Sequence, residues 1–143
     1  MRKIEKIVVH ASATSPSAAH VDAAEIRRWH TAPPRNWSDI GYHYVIKRDG
    51  VVEMGRPEDV PGAHVAGYNR RSIGICMAGG VNEQGAPDAN FTRAQYTALN
   101  RLLHGLTSKY SGAEVMGHRD VPGVAKACPC FDVRAWWGGG YAA

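Results

Sequence analysis

IEKIVVH at residues 4–10 and SIGICMA at residues 72–78 are the two stretches on which the fold turns. Each is a short apolar run rich in β-branched residues and bounded by small or polar residues, the pattern of a buried strand. The first ends at His10, and the second is expected to lie centrally in a sheet. Between them, ASATSPSAAH at 11–20 is a small-residue loop. Asp22 with Glu25 forms a capping-box pattern that opens a helix over 23–30, with Ile26, Trp29 and His30 on one face. Two prolines at 33 and 34 keep 31–39 a loop. YHYVI at 42–46 is a strand, with Tyr42, Tyr44 and Ile46 on one side and His43 and Val45 on the other. Asp49-Gly50 makes a hairpin turn, and 51–55 returns as the partner strand.

The second half follows the same grammar. Residues 55–71 form a long loop that contains His64 and Tyr68. Thr92 and Gln95 make a second capping box, and Tyr96, Leu99, Leu103, Leu106 and Tyr110 recur at helical spacing to about 110. Residues 114–117 are a last strand, followed by His118. FDVRAWW at 131–137 is one amphipathic turn or a short helix. The order β-α-β-β-β-α-β implies an α/β fold: a single domain with a mixed central β-sheet of about five strands flanked by helices. The domain is expected to span 1–137, with 138–143 (GGGYAA) as a flexible tail.

Composition narrows the class. At 143 residues the chain is one domain, at roughly 100–200 residues per domain, and is long enough to fold without staples. Hydrophobic residues at 44% and charged residues at 21% exclude a disordered chain. A net charge of +4 favours anionic polymers without choosing among them. The basic residues are dispersed, and no basic stripe or stacking motif is present, so nucleic acid is not an expected partner. Three cysteines, two of them flanking one proline, argue against a disulfide framework and for a reduced compartment or a ligand role. The N-terminal stretch has only Ile7, Val8 and Val9 as a continuous apolar run, short of the about 7–15 residues of a signal peptide, and no segment approaches the about 18 of a membrane span. Cytoplasmic synthesis without membrane insertion is expected.

Chemistry concentrates in the histidines and cysteines. His10 and His118 each close a predicted strand, where folds of this class carry their ligand sites. Cys128 lies in the loop after His118. Two imidazoles and a thiolate suit Zn²⁺, and three protein ligands leave the open fourth position of a catalytic site. Spacing alone leaves open whether these are ligands or three unrelated residues. The common zinc protease and deaminase motifs are absent.

Five blocks together resemble a known family: VVHASAT at 8–14, IGYHYVIKRDG at 40–50, HVAGYNRRSIGICMAGG at 64–80, FTRAQ at 91–95, and GHRD with AKACPCFD at 117–132. The chain is similar to the zinc-dependent N-acetylmuramoyl-L-alanine amidases of type 2, and within them to small phage lysozyme-amidases (endolysins). Peptidoglycan recognition proteins share the fold. The resemblance implies Zn²⁺ on His10, His118 and Cys128, with Tyr42 and Lys126 as catalytic residues. It implies hydrolysis of the amide between N-acetylmuramic acid and L-alanine in host lysis, with peptidoglycan (muramyl peptide) as substrate and a monomeric chain. A regulatory protein partner is not readable. Cys130 departs from the pattern, which has a small hydroxyl residue there, and leaves a second thiol that could compete for the metal.

Other residues carry two readings each. The resemblance puts His64 along the cleft as a substrate contact, against an ordinary surface histidine. His43, on the opposite strand face from Tyr42, reads as structural. Trp29 and His30 read as helix packing, His20 and His104 as solvated, and Cys76 as a small buried hydrophobe. Trp136 and Trp137 anchor the C-terminal segment or form a sugar platform. Arg70 and Arg71 bind stem-peptide carboxylates or are simply solvated. A peptidoglycan-binding module without catalysis is the rival function, and such modules typically lack the cysteine ligand.

Overall fold

The computed structural model describes residues 2–18 and 21–138. Its strands are β1 (Lys6–Ala11), β2 (Tyr44–Ile46), β3 (Val52–Met54), β4 (Ser72–Met77) and β5 (Glu114–Gly117). Its α-helices are α1 (Ala23–Thr31), α2 (Arg93–Lys109) and α3 (Val133–Gly138). The five-stranded sheet has the order β3-β2-β4-β1-β5. β1 runs parallel to both β4 and β5, and β2 runs parallel to β4. Only the hairpin partner β3 is antiparallel. Every residue of β4 is buried, as befits a central parallel strand covered on both faces.

Alternation along the strands divides the interior. Ile7, Val9 and Ala11 of β1 join Ile73, Ile75 and Met77 of β4 and pack on Leu99, Leu103 and Leu106 of α2. On the other face, Val8 packs with Val65, Met116 and Val121. Cys76 packs with Val45, Ile40 and Ile26 of α1. The helices thus cover opposite faces of the sheet, and His10 falls on the α1 side.

The helix starts follow their caps. Thr92 accepts from the Gln95 N–H and Gln95 returns the bond, completing the capping box. Gln95 does more than cap. It is fully buried, and its Nε2 donates to the Ile46 and Ala78 carbonyls at 3.1 and 2.8 Å, satisfying the ends of β2 and β4. At α1, Asp22 accepts from the Glu25 N–H at 2.8 Å, but the Glu25 side chain turns to Arg28 and Trp29 instead of closing a box. Trp29 is 37% exposed and lies outside the core, whereas His30 is buried, so only one of the two packs as expected. The Trp29 indole finds its partner on the helix surface, which removes the need to bury it.

Trp136 and Trp137 of α3 are partly buried against the α2-side core, with Trp136 among the rings of Tyr96 and Phe131. That geometry supports anchoring of the C-terminal segment. His20 and residues 139–143 of the expected tail lie outside the described residues, and Gly138 ends α3. Among the described residues no helix is long and apolar enough to cross a membrane.

One polar node ties the long loop to the body. The Glu58 carboxylate accepts from the hydroxyls of Tyr44 and Tyr110 and from Lys109 Nζ, the last two at 2.6 and 2.9 Å. Arg2 donates to the Glu58 carbonyl at 2.6 Å, pinning the N-terminal segment as well. Burial would raise the Glu58 pKa, but the hydrogen bonds from Tyr110, Tyr44 and Lys109 outweigh it and hold the carboxyl below its usual range. A depressed folded pKa contributes stability above the ordinary carboxylate range, lost as pH falls through the folded value. Glu58→Gln is expected to cost about 1.5–3 kcal/mol at neutral pH, the worth of hydrogen bonds to a charged group. In urea unfolding, that deficit should shrink progressively as the pH is lowered below about 4.

Candidate metal centre

His10 is the penultimate residue of β1, and His118 directly follows β5. The parallel register pairs Val9 with Gly117, so the next residue on each strand is a histidine. Their ring centroids lie 4.4 Å apart. Cys128 arrives from the loop after His118. Its Sγ accepts from the Ala11 N–H at 3.2 Å, and its carbonyl accepts from the Arg119 N–H at 2.8 Å. One donor atom from each of His10, His118 and Cys128 lies within 4.8 Å of the others. His10 is buried and the other two are half-buried, so the group is enclosed on one side and open on the other. Cys130 turns away, with its thiol donating to the Gly80 carbonyl at 3.2 Å.

The electrostatics suit ligation. Burial pushes the His10 imidazole well below its ordinary pKa, and His64, His118 and Lys126 push the same way. Burial, then Lys126, lowers His118. Both rings are therefore neutral near pH 7, the form that binds metals. Burial pushes the Cys128 thiol up to about 11, opposed by the Ala11 N–H and by Lys126 and reinforced by Cys130. A bound cation would reverse that balance by stabilising the thiolate.

Tyr42 stands beside this group, its ring centroid 5.1 Å from that of His10. Strand alternation from 42 to 46 put it on the side of Tyr44 and Ile46, and here the structure corrects the expectation. β2 begins at Tyr44, and Tyr42 packs with Ile40, Val45 and Cys76 on the His10 side. Just before Tyr42 the backbone is engaged outside the sheet: the Gly41 N–H donates to His30 Nδ1 and the Gly41 carbonyl accepts from the Ala63 N–H, both at 2.9 Å. Burial, followed by Cys76 and Cys128, raises the phenol well above its ordinary pKa, so Tyr42 is a protonated donor at neutral pH.

The N-acetylmuramoyl-L-alanine amidase family matches residues 1–131. The chain belongs to this family. The endolysin of Klebsiella phage KP32 is 48% identical over 136 residues, covering 95% of this chain and 87% of the endolysin. The endolysin of Escherichia phage T7 is 50% identical over 133 residues, covering 93% and 85%. Among solved structures, the N-acetylmuramoyl-L-alanine amidase LysC from Clostridium intestinale URNW superposes with a TM-score of 0.75 at 33% identity, covering 90% of this chain and 77% of LysC.

In this amidase the remaining candidates sort by position. Lys126 is exposed in the loop between His118 and Cys128, and its positive charge is felt at both His10 and His118. His43 is buried on the same face as Val45. It uses Nδ1 to accept from the Gly74 N–H at 3.0 Å and Nε2 to reach the Val60 carbonyl at 2.8 Å, a structural engagement of both nitrogens. His64 approaches the metal group from the loop, its Nδ1 2.8 Å from His10 Nε2. Burial, with His43 next, pushes its pKa down to about 3. Arg70 and Arg71 line an open cleft of about 560 Å³ together with Lys6 and Tyr68. That cleft lies at the Lys6 end of β1, the other end of the strand from His10. His104 is exposed, its ring 4.8 Å from that of Trp137.

Cys76 is fully buried in a hydrophobic cluster, as expected of a core filler. It also sits level with His10 across the β1–β4 pairing, in the cluster against which Tyr42 packs. The signal was present in SIGICMA: the alternate positions 72, 74 and 76 are Ser, Gly and Cys, small residues on the face that carries His10. Titration of the amidase with Co²⁺, followed by thiolate absorption, should show a site lost in Cys128→Ala and retained in Cys130→Ala. Loss in the second variant alone would exchange the two cysteines.

Proposed function

We propose that this chain hydrolyses the amide between the lactyl group of N-acetylmuramic acid and L-alanine in peptidoglycan, as a phage endolysin, with Zn²⁺ held by His10, His118 and Cys128. The observation that carries the reading is the convergence of two neutral imidazoles and one thiol within 4.8 Å at the end of the parallel strands. Two nitrogens and a sulfur match the ligand chemistry of zinc, and one open side matches a catalytic rather than a structural site. When bound, the ion would supply Lewis-acid polarisation of the scissile carbonyl and lower the pKa of a bound water toward neutrality.

The chain's own residues supply the rest. Tyr42, kept protonated by burial, can donate to an oxygen of the reacting amide or pass its proton to the leaving amine. Lys126 brings a positive charge to the open side, where an oxyanion would develop. The half-buried His118 and Cys128 and the exposed Lys126 leave that side reachable by a polymer as large as peptidoglycan. Synthesis in the cytoplasm, action on the wall after release and a monomeric state belong to the same proposal.

Digestion of purified peptidoglycan should release material with new L-alanine amino termini and no new reducing ends, seen by mass spectrometry, and a chelator should stop it. Lys126→Ala and Tyr42→Phe are each expected to lower the rate by about 10²–10³, the usual cost of one transition-state donor. Wall binding without new amino termini would favour a recognition module. New reducing ends would mean a glycosidase.

A further inference from the structure

His64 is held in place more firmly than a substrate contact on a loop requires. Asn69 Oδ1 accepts from the backbone N–H groups of both His64 and Val65 at 2.9 Å, pinning the chain where the ring leaves it. The imidazole lies flat over β4 at Gly74. A Cβ added there would stand 2.6–2.7 Å from His64 Cγ, Cδ2 and Nδ1. A Cβ on Gly62 would stand 2.6 Å from the Gly41 carbonyl oxygen and 2.8 Å from His64 Cδ2. Real Cβ contacts do not come that close, so a side chain at 74 would evict the ring. Glycine in the middle of a central strand packs nothing and weakens it, and it marks a site of close approach.

The ring's two nitrogens are both engaged. Nδ1 lies 2.8 Å from His10 Nε2, and Nε2 lies 3.1 Å from the hydroxyl of buried Ser72. Only one nitrogen of His10 remains for the metal group, Nδ1. A metal ligand nitrogen must be bare, so the His10 proton sits on Nε2 and donates to His64 Nδ1. His64 then carries its own proton on Nε2 and donates to Ser72 Oγ. The chain of bonds has one direction.

We propose that His64 is the positioning residue of the metal centre: seated by Gly74 and Gly62, it accepts the Nε2 proton of His10 and thereby fixes the tautomer and ring angle that aim His10 Nδ1 at the metal. The inference rests on the zinc reading above. Outer partners of this kind typically contribute about 10–100-fold to metal affinity.

The test uses the full chain and Zn²⁺ alone, with affinity read by competition against a chromophoric chelator. His64→Leu keeps the bulk but removes the acceptor, and is expected to weaken Zn²⁺ binding about 10–100-fold. His64→Asn, whose amide oxygen can stand near the Nδ1 position, should recover most of that loss. Gly74→Ala leaves all three ligands and His64 in the sequence but displaces the ring, and should resemble His64→Leu. In parallel, ¹⁵N NMR of the unsubstituted zinc-loaded chain should find His10 protonated at Nε2 and bare at Nδ1. A folded His64→Leu chain binding Zn²⁺ within about twofold of the parent would overturn the inference alone. So would His10 protonated at Nδ1, a result that needs no variant to fold. No zinc uptake by the unsubstituted chain would overturn the zinc reading and this inference with it.

Discussion

The parallel register of β1 between β4 and β5 is the constraint on which the site depends. Pairing Val9 with Gly117 brings His10 and His118 to the same level at the end of the sheet. Pairing His10 with Cys76 sets the core cluster that receives Tyr42 level with His10. A slip of one residue would turn His10 into the α2-side core and carry Ile7 and Val9 out of it. The continuous burial of Ile7, Val8 and Val9 on both faces therefore protects the ligand geometry as well as the stability of the sheet.

Around that register, backbone groups do much of the positioning. Cys128 reaches the strand end through the Ala11 N–H, across 117 residues of sequence, and the Arg119 N–H holds its carbonyl. Gly41, next to Tyr42, is held by His30. Each bond pairs a backbone polar group in a buried or half-buried part of the chain. Satisfying the fold's hydrogen bonds and arranging the reactive side chains are here largely the same act.

This chain also superposes on the bumblebee peptidoglycan recognition protein SA, with a TM-score of 0.78 at 26% identity. A shared scaffold does not by itself fix activity, which lies in the side chains it carries. In this chain a thiol stands with two imidazoles in the candidate metal group, and a protonated phenol lies next to His10.

Local chemistry was legible in the residues themselves. The Thr92–Gln95 box, the helix that follows it, the Asp49-Gly50 hairpin and the strand at 114–117 all depend on neighbours within a few positions, and the sequence determined them. The five ordered blocks, by resemblance, brought together His10, His118 and Cys128 before any geometry was available. Tertiary structure alone decided which way Tyr42 faces, that Gln95 caps two strands as well as a helix, and that His64 leans on His10 rather than standing free in its loop. Those outcomes depend on where distant segments come to rest. A loop's path over Gly74 follows from excluded volume and hydrogen bonds between residues far apart in the chain, which no periodicity records.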